Sequence, residues 1–153
     1  MSMDKARAHL AKHGFEDRII ALEQSSATVA LAAEALGCEP DHIAKTLSFA
    51  KDDGAILILA AGMARIDNAK FKACFGMKAK MLPADRVEEI IGHAVGGVCP
   101  FGVNEGIAVY LDESLKKYEI VYPAAGNDHS GVRLTVEELF AASEALDVVD
   151  VCK

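Results

Sequence analysis

The run Ala55-Ile56-Leu57-Ile58-Leu59-Ala60-Ala61 contains no polar residue. A strand with one face in water alternates apolar and polar side chains, so a run that is apolar at every position must be covered on both faces. It is also far shorter than the roughly 20 apolar residues that a membrane-crossing helix requires. Asp52-Asp53-Gly54 precedes it, and turn residues of this kind join it to an extended upstream arm, His42 to Ala50. The chain is therefore expected to build around a hairpin whose returning arm is an interior strand.

Helix signals surround this hairpin. An apolar stripe from Asp4 to Lys12 stops at Gly14; Ser26 can cap a helix from Thr28 to Leu36 that Gly37 closes; Asp67 caps one that runs through Phe75 to Gly76. Ala84 to Ile91 is helical with Gly92 behind it, and Thr135-Val136-Glu137-Glu138 forms a capping box for a helix through Ala145. Extended segments are expected at Arg18 to Leu22, Lys78 to Leu82, Ile107 to Leu111, Glu119 to Tyr122, Val132 to Leu134 and Val148 to Val151, with a short helical turn from Asp112 to Lys117. Helices and strands alternate irregularly and some strands arrive as hairpins. An α+β fold follows, a mixed β-sheet or barrel-like core flanked by helices. No repeat or linker divides the chain, and residues 1–153 read as a single domain.

With 52% hydrophobic and 25% charged residues, disorder is excluded as the default. The first residues carry Asp4, Lys5, Arg7 and Lys12 and no long apolar stretch, so neither signal peptide nor membrane anchor is expected and the cytoplasm is the expected compartment. Cys38, Cys74, Cys99 and Cys152 are far apart, with no C-x-x-C pair and no histidine recognised at metal-ligand spacing. Reduced thiols are expected, with no metal and no cofactor. The net charge of −7 opposes binding to a polyanion. Yet between Arg65 and Arg86 six basic residues face only two acids, which suits either a nucleic-acid contact on one face or a solvated lysine-rich helix and loop.

Two features carry candidate chemistry. Along the first hairpin arm Ile43, Lys45, Leu47 and Phe49 share one face while Ala44, Thr46 and Ser48 share the other, which puts Lys45 on the apolar side. A lysine there snorkels to an edge, pairs with an acid, or lines a cleft for an anionic or carbonyl-bearing ligand. The second feature is the loop Gly92 to Gly106, too glycine-rich for a regular element. Its Gly96-Gly97-Val98-Cys99-Pro100-Phe101-Gly102 segment can bring rigid backbone N–H groups close to a carbonyl or phosphate, or serve as a tight structural turn.

Several segments, in order, resemble the YbaK-type and prolyl-tRNA-synthetase-associated editing family. They are Ser25-Ser26-Ala27-Thr28-Val29, Ala32 to Gly37, Ile43-Ala44-Lys45-Thr46-Leu47, Gly96 to Gly102, Ala108 to Leu115, Ala125-Gly126 and Leu134 to Leu139. The resemblance implies hydrolysis of the ester joining an amino acid to the terminal ribose of tRNA, acting in trans on cysteine- or alanine-charged tRNA(Pro). It implies catalytic roles for Lys45, Gly96, Gly97 and Pro100, with Thr46, Val98, Cys99, Phe101, Gly102, Gly126 and His129 as substrate-binding candidates. The implied partners are the 3′ acceptor end of mischarged tRNA and prolyl-tRNA synthetase, with no membrane; the oligomeric state is left open.

No Ser-His-Asp arrangement or G-x-S-x-G elbow supports an acyl-enzyme. The resemblance implies instead that substrate groups take part, a ribose hydroxyl or a cysteinyl thiol, while loop N–H groups hold the oxyanion. Two alternatives stand beside this: a module that docks the acceptor end or a synthetase without catalysis, and a hydrolase using a Cys99 thiolate paired with His93 or His129.

Overall fold

The structure, a computed structural model, describes residues 2–52 and 54–153. Asp53 of the expected hairpin turn lies outside the described residues. Strands β2 (Ala44–Lys51) and β3 (Gly54–Ala61) pair antiparallel, with Lys45 opposite Ala60 and Thr46 opposite Leu59. Parallel pairing then adds β4 (Ala108–Asp112) to β3 and β8 (Asp147–Val149) to β4, giving the order β2-β3-β4-β8. β3 is thus flanked on both edges and, from Ile56 to Ala61, is at most 2% exposed. This is the interior strand that its apolar composition demands. Each fully buried Leu or Ile contributes about 1.5–3 kcal/mol relative to exposure.

Two small ladders complete the core. β1 (Ile19–Ala21) pairs antiparallel with β6 (Ser130–Val132), and β5 (Ile120–Val121) with β7 (Leu134–Thr135). The segment after β5 docks on the outer edge of β2: Ala44 N–H donates to the Tyr122 carbonyl at 3.0 Å and Tyr122 N–H to that of His42 at 2.9 Å, while β6 joins through Val132 N–H to Pro123 O at 2.8 Å. Further along the same edge, Ala50 N–H donates to Lys80 O at 2.8 Å and Leu82 N–H to Ser48 O at 3.1 Å. Residues 78–82 therefore cover the far end of β2, as their extended reading anticipates, and close the sheet into a barrel-like body. Helices α1 (Ser2–Lys12), α2 (Val29–Leu36), α3 (Asn68–Phe75), α4 (Ala84–Ile91) and α5 (Val136–Ala142) surround it. α3 is anchored by an aromatic file, Phe49–Phe71–Phe75–Tyr110, with ring centroids 4.9, 4.9 and 5.1 Å apart.

Several boundaries differ from expectation for identifiable reasons. The cap of α2 is Thr28, whose hydroxyl accepts from Leu31 N–H at 3.2 Å, and not Ser26. A capping side chain reaches only the second or third helical N–H, and Ser26 lies too far upstream of Val29. Residues Glu16–Arg18 form a 3-10 turn, so the strand expected from Arg18 shortens to the three residues that β6 can pair. α5 stops at Ala142 because Glu144 takes a left-handed φ of 56° and turns the chain toward β8.

The capping box of α5 is present in full. Thr135 Oγ1 accepts from Glu138 N–H at 3.1 Å and Glu138 returns a carboxylate oxygen to Thr135 N–H at 2.9 Å. Arg18 grips the same carboxylate through two bonds of 2.9 Å, tying the start of β1 to α5 and holding the Glu138 carboxyl below its usual range. Replacing Thr135 with alanine is expected to lower unfolding free energy by about 1 kcal/mol, measured by urea denaturation at constant m-value.

Candidate functional site

A cavity of about 300 Å³ opens between α2, β2, α4 and the glycine-rich loop. Its floor is the Ala44, Thr46 and Ser48 face of β2, whose small side chains leave the room that the opposite face fills with Leu47 and Phe49. Val29, Ala32 and Leu36 of α2 form one wall and Ala84 and Val87 of α4 another, while Val95, Gly96 and Val98 bring in the loop. Pro123, Ala124 and Ser130 complete the rim. Thr46 Oγ1 is buried beside the cavity with no hydrogen-bond partner among the described residues. Buried hydroxyls are normally hydrogen-bonded, so this one remains open to a bound group or a water.

A serine pair builds the rim. Ser130 N–H donates to Ser26 Oγ at 3.1 Å, Ser26 Oγ donates to Ser130 O at 3.2 Å, and Ala125 N–H donates to Ser130 Oγ at 3.1 Å. Both serines are buried, so residues 123–130 are clamped to the segment that leads into α2. The glycine-rich loop then packs on this clamp. A Cβ on Gly97 would come within 2.6 Å of Asn127 Cα, and Gly96 adopts φ +94°, a conformation that side-chain-bearing residues rarely adopt. Gly97 N–H is committed to Ala94 O at 3.0 Å, and Val95, Gly96 and Val98 are the loop residues that border the cavity.

Lys45 borders the cavity too, but its amine turns to the chain after β3 and donates to the carbonyls of Gly62, at 3.2 Å, and Ala64. It is half-buried and, among the described residues, forms no ion pair with an acid. Burial lowers its pKa, partly opposed by Cys152 and Asp41, and two of its three N–H donors are used by the carbonyls.

The remaining candidates sit apart from the cavity walls. Cys99 and Phe101 are wholly buried behind the loop. Pro100 and Gly102 face another cleft, beside Lys5 and His9, and a Gly102 Cβ would strike the Lys5 carbonyl at 2.6 Å. Gly126 turns the 123–130 segment at φ +96°, and His129 is exposed and paired with Asp128 at 2.7 Å. Residues not named as site candidates from sequence, Ser26, Ser130, Ala44, Ser48 and the small side chains of α2, do much of the shaping. Their only sequence signal is the small-residue alternation along β2.

The Cys99 thiol lies 3.6 Å from His93 Nε2 and donates to Phe101 O at 3.6 Å; His93 Nε2 is 2.6 Å from the same carbonyl. Burial raises the Cys99 pKa to about 12 and lowers that of His93. Both shifts oppose a thiolate–imidazolium pair, so the two side chains act as neutral donors that pin the loop.

Residues 23–142 match the family model of the aminoacyl-tRNA editing domain. The chain belongs to this family. It is thereby an enzyme of the class that hydrolyses the ester of mischarged tRNA. It is 46% identical over 154 residues to the uncharacterized protein YwhH of Bacillus subtilis (strain 168), covering 100% of this chain and 98% of that one. A proline–tRNA ligase of Bacillus cereus (strain AH820) is 27% identical over 149 residues, 95% of this chain but 25% of the ligase. A solved structure provisionally named a trans-editing enzyme for prolyl tRNA synthetase superposes with a TM-score of 0.88 at 34% identity, covering 99% of this chain and 97% of that one. The mixed fold of the editing domain is shared with it.

In this editing domain the four cysteines differ sharply in access: Cys74 is exposed and Cys99 is buried. Iodoacetamide applied to the native protein is expected to label Cys74 and spare Cys99 until denaturant is added, as read by peptide mass spectrometry. Rapid native labelling of Cys99 would reopen the thiolate route.

Proposed function

We propose that residues 1–153 act as one trans-editing deacylase in the cytoplasm, removing cysteine or alanine from mischarged tRNA(Pro) whose acceptor end enters the cavity. The observation that supports this reading is that Gly96 and Val98 of the glycine-rich loop line the same cavity as Lys45 and Thr46. At about 300 Å³ the space lies at the lower end of the range for small-molecule sites, which suits a small amino acid. Lys72, Lys78 and Lys80 are exposed on the segment leading to Met81 and Leu82 at the cavity, where the phosphates of an acceptor strand would meet them. The ligase match supports prolyl-tRNA synthetase as the functional context.

In this mechanism the Gly96 and Val98 amides receive the developing oxyanion, and Lys45 offers its remaining N–H to the ester or to a neighbouring phosphate. The fixed loop supplies position, and the nucleophile is the thiol of a cysteinyl ester or, for an alanyl ester, a water held by the ribose hydroxyl beside the ester. Electrons from the attacking oxygen or sulfur form the new bond to the carbonyl carbon. Collapse of the tetrahedral species breaks the ester C–O bond and releases the tRNA hydroxyl, which takes up the nucleophile's proton; the cysteinyl route leaves a thiolactone that water then opens, and the water route leaves the free amino acid.

The test is a deacylation panel of tRNA(Pro) charged with cysteine, alanine, serine or proline. Cysteinyl or alanyl ester is expected to be cleaved and prolyl ester spared, and a panel with no turnover would favour a docking module without catalysis. Lys45→Ala is expected to lower the maximal rate on the order of a hundredfold, the usual effect of losing one preorganised donor, while still melting cooperatively. A folded variant with the original rate would reduce Lys45 to a brace for residues 62–64.

A further inference from the structure

Away from the cavity, α1 presents His9 and His13 on one face, a turn apart, toward the residue that ends the α5 connection. His9 Nε2 lies 3.3 Å and His13 Nε2 3.2 Å from the same oxygen, Glu144 Oε2. The three atoms all lie within 4.8 Å of one another. The imidazoles are stacked, with centroids 5.3 Å apart and planes at 30°. An ion pair with a carboxylate needs one histidine. Two rings converging on one oxygen form the triangle that a metal ion requires, because ligands about 2.05 Å from a tetrahedral centre stand about 3.3 Å apart.

The surroundings fix this arrangement in place. The side chain of His9 is largely covered, and its ring lies 5.8 Å from that of Phe101. Glu144 is held by the left-handed turn after α5, φ 56°, an uncommon conformation for a residue other than glycine. The nearby cation of Lys12 opposes a metal ion, but it sits on an exposed, flexible side chain.

We propose that His9, His13 and Glu144 form a binding site for a divalent transition-metal ion of the zinc class, fastening α1 to the turn between α5 and β8. Two histidines four apart on a helix with one carboxylate are a borderline nitrogen and oxygen donor set. It suits Zn²⁺ and also takes Ni²⁺ or Cu²⁺, while hard Mg²⁺ and Ca²⁺ prefer all-oxygen sites. Binding uses the Nε2 lone pairs. The His9 Nε2–H that now lies 2.6 Å from Ala142 O gives up that bond, and the ring keeps its proton on Nδ1. A fourth position is left for water. Because α1 also lies under Gly102 and against Phe101, the ion would brace the signature loop from behind.

The experiment uses tag-free, chelator-treated full-length protein in a Cys74→Ser background, titrated calorimetrically with zinc chloride alone and melted with and without it. One equivalent is expected to bind and to raise the melting temperature. His13→Gln and Glu144→Gln, both at the more exposed ligands, are expected to fold and to weaken binding by more than about tenfold. His129→Gln is expected to bind as before. No binding, several weak equivalents without a melting shift, or unchanged affinity in both ligand variants would overturn the site. None of these readouts depends on deacylation, so this site and the editing reading stand or fall separately.

Discussion

Everything in this fold answers to one requirement, that β3 be dry on both faces and paired on both edges. An all-apolar strand leaves no side for water, so helices must lie across the sheet and neighbouring strands must occupy each flank. β4 supplies one flank in parallel and β2 the other in antiparallel pairing. β2 is then itself an edge, and its unpaired backbone groups are met by Tyr122 at one end and Lys80 to Leu82 at the other. The cavity lies beside this edge strand, where the small residues of β2 leave space that the covering segments do not fill.

The chemistry of the site is one of positions more than of reactive side chains. Its prominent nucleophile by composition, Cys99, is spent on holding the loop, and its lysine is half engaged by carbonyls. What lines the cavity is the glycine-rich loop, Lys45 with its amine turned to the carbonyls of Gly62 and Ala64, and the Thr46 hydroxyl, which has no partner among the described residues. Such a site suits a reaction in which the substrate carries its own nucleophile and the protein fixes geometry and charge.

The parts of this organisation that are local in sequence are legible there. The Asp67 cap, the glycine stops after α2, α3 and α4, the Thr135–Glu138 box and the apolar β3 each follow from residues a few positions apart. Pairings between distant short segments are not legible, because the two or three residues of β1, β5, β6 and β7 carry too little pattern to name a partner. Strand alternation places Lys45 and Thr46 on opposite faces but cannot say which face borders empty space. The His9–His13 spacing is present in the sequence and is overlooked when histidines are weighed only against cysteines. Glu144, more than a hundred residues away, enters only through the fold.

The approach of Gly97 to Asn127 also limits how such an enzyme can change its preferences. The loop that borders the cavity and the 123–130 loop share a boundary at Gly97 with no spare atom's width. Lengthening a side chain on one displaces the backbone of the other, and the serine clamp carries that displacement to the start of α2. A change in the cavity's shape on this side therefore involves both loops, and neither can be reshaped alone.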